Sequence, residues 1–508
     1  MERPATLVVR ADANSAMGAG HVMRCLALAQ AWRDSGHDAI YCGQIDSDSL
    51  RRRLSAAGFL HLETGPAIAD TIRILHEQGL AGCRVVLDGY HFGSEWQTEL
   101  VTAGYLVTVM DDGARLASYA AHVIVAAEQD ARASAYVTSP STLILTGSRF
   151  RLLRPGFAQL ARSAREITDG SVVLISFGGA DSANTTRSVV LALDQVLRPA
   201  DKALVVLGPV NRHSASVKQA LDGVGYRYEL HQDVDDMSAL YARADLAVGA
   251  AGGAAWEMAV SGLPAVLMPV ADNQKVGMEF LTGVGAAVGL AGPEALVTED
   301  FAVLVKALLE SPSQLVKMSA KGRGACDGNG AMRVCQILAS LTGEQRAVEY
   351  VLRPAEPGDM EQVFRLANDP LVRQNSFSPQ AISLAQHTTW YAERLASSRT
   401  VFYVLDLVGV VAALARFDMI GDVAEIDVAV HPAFRGRGLG ARILRESAGP
   451  AAARLGVREL RAAVLEGNAE SRRCFTRAGF QETGFNMVRG KPCALFAWTT
   501  SDMDACLG

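Results

Sequence analysis

Over its first 340 or so residues the chain alternates short apolar runs with longer amphipathic stretches, and no other feature constrains the fold as strongly. TLVVRAD (Thr6 to Asp12) reads as a strand. Gly18-Ala19-Gly20 follows, and then a helical stretch runs from about His21 to Ser35. AIYCG, RVVLDGY and YLVTVMDD repeat the strand signal with helical sequence between them. Such alternation predicts a parallel, doubly wound sheet. The pattern breaks at FRLLRPGF (Phe150 to Phe157) and restarts with SVVLISFGG, KALVVLGP, YRYELH, DLAVGA and PAVLMPV. Two Rossmann-like halves in series are expected, with a cleft between them and ligands beyond the carboxyl ends of the strands.

With 508 residues the chain is too long for one core. A different unit starts near Glu349, where YVLRPAEPGDMEQVFRLAND reads as strand, turn and helix. TVFYVLDLVGVVAALARFD then reads as antiparallel strands around a turn at Leu407–Gly409. The expected organisation is 1–152 and 153–340 for the two halves, a linker at 341–348, and an α+β domain at 349–500. A formal charge of −6 and the absence of any basic tail argue against nucleic-acid or anionic-membrane partners. Arg51-Arg52-Arg53, the densest basic run, reads as a solvated helix face. Eight scattered cysteines without a C-x-x-C pair give no zinc pattern, so no metal is expected. No leader peptide or membrane-length apolar run is visible, which makes the cytoplasm the expected compartment. Oligomeric state is left open.

Candidate site residues gather where strands meet helices. Asp12, Gly18, Gly20 and His21 lie between the first strand and the first helix. Glycines there let a ligand approach the backbone, and the free N–H groups of a first helical turn favour an anion. By spacing alone, His21 reads equally as a proton acceptor or as a residue that caps the helix and orients the loop. In the second half, Gly178 and Gly179 follow a strand in SFGGADSANTT. Further on, VGAAGGAAWEMAVSGLPAVLMPVADNQ sets Gly252 and Gly253 at a helix mouth that can cradle a diphosphate. Glu257, one turn in, can accept hydrogen bonds from ribose hydroxyls, and Asn273-Gln274 closes the stretch.

GAGHVMRCLALA, VVLDGY, MDDGA, SFGGADSANTT, GAAWEMAVSGLPAV and DGNGAMRV, spread over residues 6–340, resemble the nucleotide-sugar hydrolases of pseudaminic acid biosynthesis. These are relatives of the GT-B glycosyltransferases that include the lipid II-forming transferase. The resemblance implies inverting hydrolysis of UDP-2,4-diacetamido-2,4,6-trideoxy-β-L-altropyranose to free sugar and UDP, without a metal. It assigns the catalytic histidine to His21, the cleft tyrosine to Tyr90 and the cleft asparagine to Asn273. Asp12 is expected to orient His21, and UDP to sit against Gly252, Gly253 and Glu257. GAGH stands where relatives often have Thr at the middle position.

VAVHPAFRGRGLGARIL places Arg435-Gly436-Arg437-Gly438-Leu439-Gly440 after a strand and at a helix start, where successive N–H groups can wrap a pyrophosphate. Asn468, Ser471, Gly479 and Phe480 follow in EGNAESRRCFTRAGF. Together these resemble the GNAT N-acetyltransferases over about residues 349–498, which implies acetyl-CoA as cosubstrate on the Arg435–Gly440 loop. Glu425 or Asp427, on one face of the preceding strand, is the candidate base for the amine. Many members carry a proton-donating tyrosine where this chain has Phe475, and that departure touches the transfer step rather than acetyl-CoA binding. His431 reads as a strand-end residue.

The expected fold class is therefore α/β: a GT-B-like pair of Rossmann-like domains followed by a GNAT α+β domain. The expected function is a bifunctional enzyme that N-acetylates a UDP-4-amino-sugar and then hydrolyses the UDP-diacetamido product. The alternatives are a GT-B glycosyltransferase and an acetyl-CoA-binding regulatory domain beside it.

Overall fold

The computed structural model describes residues 6–13, 20–128, 131–160, 171–297, 299–341 and 349–500. Gly18 and most of the expected linker, 342–348, lie outside the described residues. The chain divides into two compact units, one of Met1–Ala131 with Ile144–Cys335 and one of Arg132–Leu143 with Gln336–Gly508.

The first unit holds two sheets. One is built from β1 (Thr6–Ala11), β2 (Asp38–Cys42), β3 (Leu60–Leu62), β4 (Arg84–Asp88), β5 (Leu106–Met110), β6 (Val123–Ala126) and β7 (Leu143–Thr146), in the order β3-β2-β1-β4-β5-β6-β7. Pairing from β3 through β6 is parallel. The other has β8 (Val172–Ser176), β9 (Lys202–Leu207), β10 (Arg227–Gln232), β11 (Leu246–Ala250), β12 (Ala265–Met268) and β13 (Ala287–Gly289), all parallel, in the order β10-β9-β8-β11-β12-β13. Strand order reverses at β1/β4 and again at β8/β11, the switch points at which doubly wound sheets open a crevice.

Burial explains why these strands are nearly continuous apolar runs. Val173, Ile175, Val205, Val248 and Val266 pack into one buried cluster of the second sheet. Their neighbours Leu174, Leu204, Ala247 and Leu267 pack into another. Successive residues of one strand thus feed opposite faces, and both faces are covered, as parallel sheets require.

The second unit is a mixed sheet of β14 (Val351–Pro354), β15 (Thr400–Leu407), β16 (Val410–Ile420), β17 (Val423–Val430), β18 (Glu459–Leu465), β19 (Gln481–Val488) and β20 (Lys491–Thr499), in the order β14-β15-β16-β17-β18-β20-β19. Val408 and Gly409, both at positive φ, make the two-residue hairpin between β15 and β16. β17 and β18 are parallel neighbours over only three residue pairs, Val423–Glu425 against Glu459–Arg461. Past that point the two strands no longer pair, which opens a gap in the middle of the sheet. Arg132–Leu143, expected inside the first half, packs in this second unit. There the Ala133 N–H donates to Glu361 at 3.0 Å, and Arg365 donates to the Ala133 carbonyl and the Thr138 hydroxyl.

Candidate functional sites

His21 stands in the first turn of the helix Gly20–Asp34 that follows β1. Asp88 is the last residue of β4, paired in register with Ala11 at the end of β1. Parallel pairing therefore sets the carboxylate beside the helix mouth. His21 Nδ1 lies 2.7 Å from Asp88 Oδ1, and Asp88 is fully buried. Burial opposes its charge, but the Arg24 guanidinium and the His21 hydrogen bond overcome that and hold its carboxyl at about 2. Arg24 donates from Nε and Nη2 to the two Asp88 oxygens, each at 2.6 Å, and from Nη1 to Asp112 at 2.7 Å. An ionised Asp88 requires Nδ1 to be the donor, so in the neutral ring Nε2 keeps the free lone pair. Tyr90 meets the His21 ring edge-on at 5.0 Å and donates its hydroxyl to Asp112 at 3.3 Å.

Asp12 does not orient His21. Its carboxylate is taken by buried Arg10, by His91 Nε2 at 2.8 Å and by the Gln44 N–H at 2.6 Å. Burial pushes its carboxyl up, but His91 and Arg10 outweigh that and hold it at about 2. Orientation of His21 falls to Asp88, a residue that the VVLDGY motif contains and sequence reasoning passed over. Nothing in the linear sequence marks it, because its proximity to His21 comes from the β1–β4 pairing.

A cavity of about 320 Å³ lies within the first unit, with His21 but neither Asp12 nor Asp88 in its lining. His21, Arg24, Tyr90 and Asp112 come from the first Rossmann half; Gly252, Gly253, Trp256, Asn273 and Gln274 come from the second. Gly252 is the N-cap of the helix Gly253–Val260 and makes no side-chain cap; the Ala255 N–H donates to the Gly252 carbonyl at 3.0 Å, which leaves the Gly253 and Ala254 N–H groups for an anion. Asn273 and Gln274 sit in the short 3-10 turn Asp272–Gln274, and Gln274 accepts the Val270 N–H at 3.0 Å. A histidine with a free acceptor and a helix mouth suited to a diphosphate thus face one cavity.

Three of the expected substrate-binding residues lie outside this cavity. Gly178 and Gly179 are not among the residues lining this cavity. They form a turn against which Gly208 packs, and the Gly179 carbonyl accepts the Val210 N–H at 3.3 Å. Glu257 likewise stands outside the lining, and Arg154 holds both of its carboxylate oxygens at 3.2–3.3 Å. Burial nevertheless pushes the Glu257 carboxyl up, with Arg154 pulling it down. Any ribose hydroxyl on Glu257 shares that carboxylate with Arg154.

In the second unit, His431 caps the 3-10 turn Pro432–Phe434 by accepting the Ala433 N–H at 3.2 Å, and burial pushes its imidazole down to about 4. The next loop carries Gly436 and Gly438 at φ +78° and +76°, conformations that favour glycine. The arginine side chains turn into the protein: Arg435 pairs with Asp369, and Arg437 donates to the Ser340 and Leu341 carbonyls. What remains for a ligand is backbone. The helix Leu439–Leu455 has Gly438 as N-cap with no side-chain cap, so the loop's free N–H groups fit a pyrophosphate. Asn468 caps the helix Ala469–Arg477 by accepting the Ser471 N–H at 3.1 Å. Glu425 and Asp427 are both exposed on β17, and Asp427 has Arg416 at 3.4 Å. Phe475 is buried against Phe480 and Phe496, with ring centroids at 5.3 and 5.5 Å, where it packs the helix onto the sheet.

Two family models match the chain. Residues 172–329 match the glycosyltransferase family 28 C-terminal domain, and residues 350–481 match the acetyltransferase (GNAT) domain. The chain thus carries one segment similar to a glycosyltransferase C-terminal domain and, after it, one similar to a GNAT acetyltransferase domain. The chain is 25% identical over 340 residues to the spore coat polysaccharide biosynthesis protein SpsG of Bacillus subtilis (strain 168), covering 65% of this chain and 97% of that protein. It is 35% identical over 177 residues to the UDP-N-acetylglucosamine–N-acetylmuramyl-(pentapeptide) pyrophosphoryl-undecaprenol N-acetylglucosamine transferase of Carboxydothermus hydrogenoformans. That match covers 34% of this chain and 47% of the transferase, about half its length. Among solved structures, Acinetobacter baumannii MurG aligns at a TM-score of 0.48 and 17% identity, over 66% of this chain and all of that one. No helix among the described residues is long and apolar enough to cross a membrane.

Proposed function

We propose that the first unit cleaves the bond between a sugar's anomeric carbon and UDP, with water as nucleophile, and that the second unit N-acetylates an amino sugar with acetyl-CoA. The observation that carries the first half is the His21–Asp88 pair across one cavity from the Gly252–Gly253 helix mouth. His21 Nε2 takes a proton from water as the water oxygen bonds to the anomeric carbon. The carbon–oxygen bond to UDP breaks on the opposite face, and UDP leaves with the electron pair, its charge met by helix N–H groups. Asp88 stays ionised and steadies the imidazolium. Attack from the face opposite UDP inverts the anomeric centre. The substrate we favour is UDP-2,4-diacetamido-2,4,6-trideoxy-β-L-altropyranose.

Acetyl-CoA, when bound, supplies an activated acetyl group. The Gly436–Gly440 backbone holds its pyrophosphate, and Glu425 or Asp427 takes the proton that the attacking amine loses. Phe475 has no proton to give, so the departing thiolate takes its proton from solvent.

A second reading, a glycosyltransferase using the same base on an acceptor hydroxyl, is favoured by the family 28 match. Incubating the full chain with the UDP-diacetamido-sugar, without acceptor, and following UDP and the anomeric signals by NMR separates the two. UDP release with inversion by the wild type, and almost none by His21→Ala, is the expected result. Intact substrate with the wild type would remove the hydrolase reading for this sugar and leave the transferase one.

A further inference from the structure

His21 and Arg24 stand one turn apart on the same face of the helix Gly20–Asp34, and the arginine's fork holds two carboxylates. The end of β4 brings Asp88 to one side of the fork, and the residues just after β5 bring Asp112 to the other. Asp88 Oδ1 accepts from both His21 Nδ1 and Arg24 Nη2, two nitrogens that lie 3.4 Å apart. Asp112 offers Oδ1 to Arg24 Nη1 and Oδ2 to the Tyr90 hydroxyl. One cation thus stands behind both His21 and Tyr90, yet it has no step in the chemistry above.

Few groups set the charge around the His21 ring. On its own helix are Arg24 and Cys25, whose thiol burial pushes up and so keeps neutral. β2 supplies Tyr41, its phenol pushed up by burial in the same way. β4 and the turn after it supply Asp88 and Tyr90. The stretch after β5 supplies Asp112 and Arg115, whose guanidinium lies over the Tyr90 ring at 4.2 Å and 3.9 Å from Asp111. The remaining charged groups of the cavity lining, Glu128 and Arg151, pair with each other at 2.9 Å. Asp88 and Asp112 both favour a proton on His21, and Arg24, held between them, opposes it.

We propose that Arg24 is a positioning residue for the cleavage step: it fixes Asp88 and Asp112 in one fork, aims His21 and Tyr90 at the cavity, and sets the acid limit at which His21 still takes a proton from water. This rests on the reading of His21 as the base. Without the guanidinium, no cation among the described residues holds either Asp88 or Asp112. A proton already on His21 is then bound more tightly, and the ring becomes an acceptor only at higher pH. Removing the Asp112 charge while keeping Arg24 acts with the opposite sign, because the guanidinium is then balanced by Asp88 alone.

UDP release from the UDP-diacetamido-sugar by the full chain, followed across pH, tests this in wild type, Arg24→Met, Arg24→Lys and Asp112→Asn. Thermal unfolding checks that the variants are folded. In Arg24→Met the acid limb of kcat is expected to move up by about one pH unit or more. Arg24→Lys keeps the charge and should return the limb toward its wild-type position, whereas Asp112→Asn should move it down. UDP affinity should remain that of wild type in all three. If Arg24→Met fails to fold, Asp112→Asn decides: a limb moved down upholds the inference, and an unmoved one overturns it. A lower kcat with an unmoved limb in folded variants makes Arg24 merely structural, and lost UDP affinity with an unmoved limb makes it a ligand contact. Either result overturns the inference and leaves the cleavage reading standing. Wild type that releases no UDP overturns that reading, and the role of Arg24 with it.

Discussion

At the scale of single residues, Asp88 carries the sharpest consequence. Its carboxylate fixes Nδ1 of His21 as the donor, and an amide in its place can present its NH₂ to Nδ1 and leave the proton on Nε2. Asp88→Asn is therefore expected to lower kcat for UDP release by on the order of 10²–10⁴ while UDP affinity stays within about twofold. Loss of affinity instead, measured by titration with UDP, would make Asp88 a structural residue. A second residue speaks to pH. His387 is buried against Phe364, Trp390 and Tyr391, with neither ring nitrogen hydrogen-bonded. Burial, aided by Arg373, pushes its imidazole down from 6.5 to about 4. The unfolded chain then binds a proton below pH 6.5 that the native chain refuses until about pH 4. Stability is full above pH 6.5 and falls as the pH drops toward 4, by up to about 3 kcal/mol from this group. Denaturant titrations at pH 7 and 4.5 should show a smaller drop for His387→Phe than for wild type. Parallel drops would refute the assignment. The charge pattern of the sequence foreshadowed neither residue, since both effects depend on what surrounds them.

Among the elements, the Arg435–Gly440 loop was the most legible. Its glycines are required by two positive φ values and its N–H groups by the uncapped helix behind it. Gly438→Ala forces a left-handed conformation that costs an L-residue roughly 1–2 kcal/mol, and it disturbs the first-turn N–H groups. Coenzyme A affinity should fall about tenfold, read by calorimetry, while UDP binding to the first unit is unchanged. Unaltered coenzyme A affinity would move the pyrophosphate elsewhere. The arginines of the same loop were not legible as they stand: both turn into the protein, because Asp369 and the Ser340 and Leu341 carbonyls offer them fixed partners. The SFGG turn shows the opposite limit. Gly178 and Gly179 were expected at the substrate, yet they lie outside the cavity; φ of +77° favours glycine at 178, and the close approach of this turn requires glycine at 208.

For the whole molecule, the two chemistries we propose on one chain imply separable losses. His21→Ala should abolish UDP release and leave acetyl transfer at the wild-type rate; the double change Glu425→Gln with Asp427→Asn should do the reverse. Paired assays of UDP release and free thiol formation check both, and a variant that loses both activities would point to shared machinery. By itself the sequence determined the strand–helix alternation, the two Rossmann-type halves, the antiparallel strands of the third sheet and the helix mouths at Gly20–His21, Gly252–Gly253 and Gly438–Leu439. These are written in local periodicity and in glycines next to helix starts, which are short-range properties. The tertiary structure alone decided which carboxylate serves His21, why Asp12 instead serves Arg10 and His91, and that Arg151 meets Trp256 in the cavity wall. Those partners lie far apart along the chain, and only strand pairing and loop packing bring their charges within hydrogen-bonding or stacking distance.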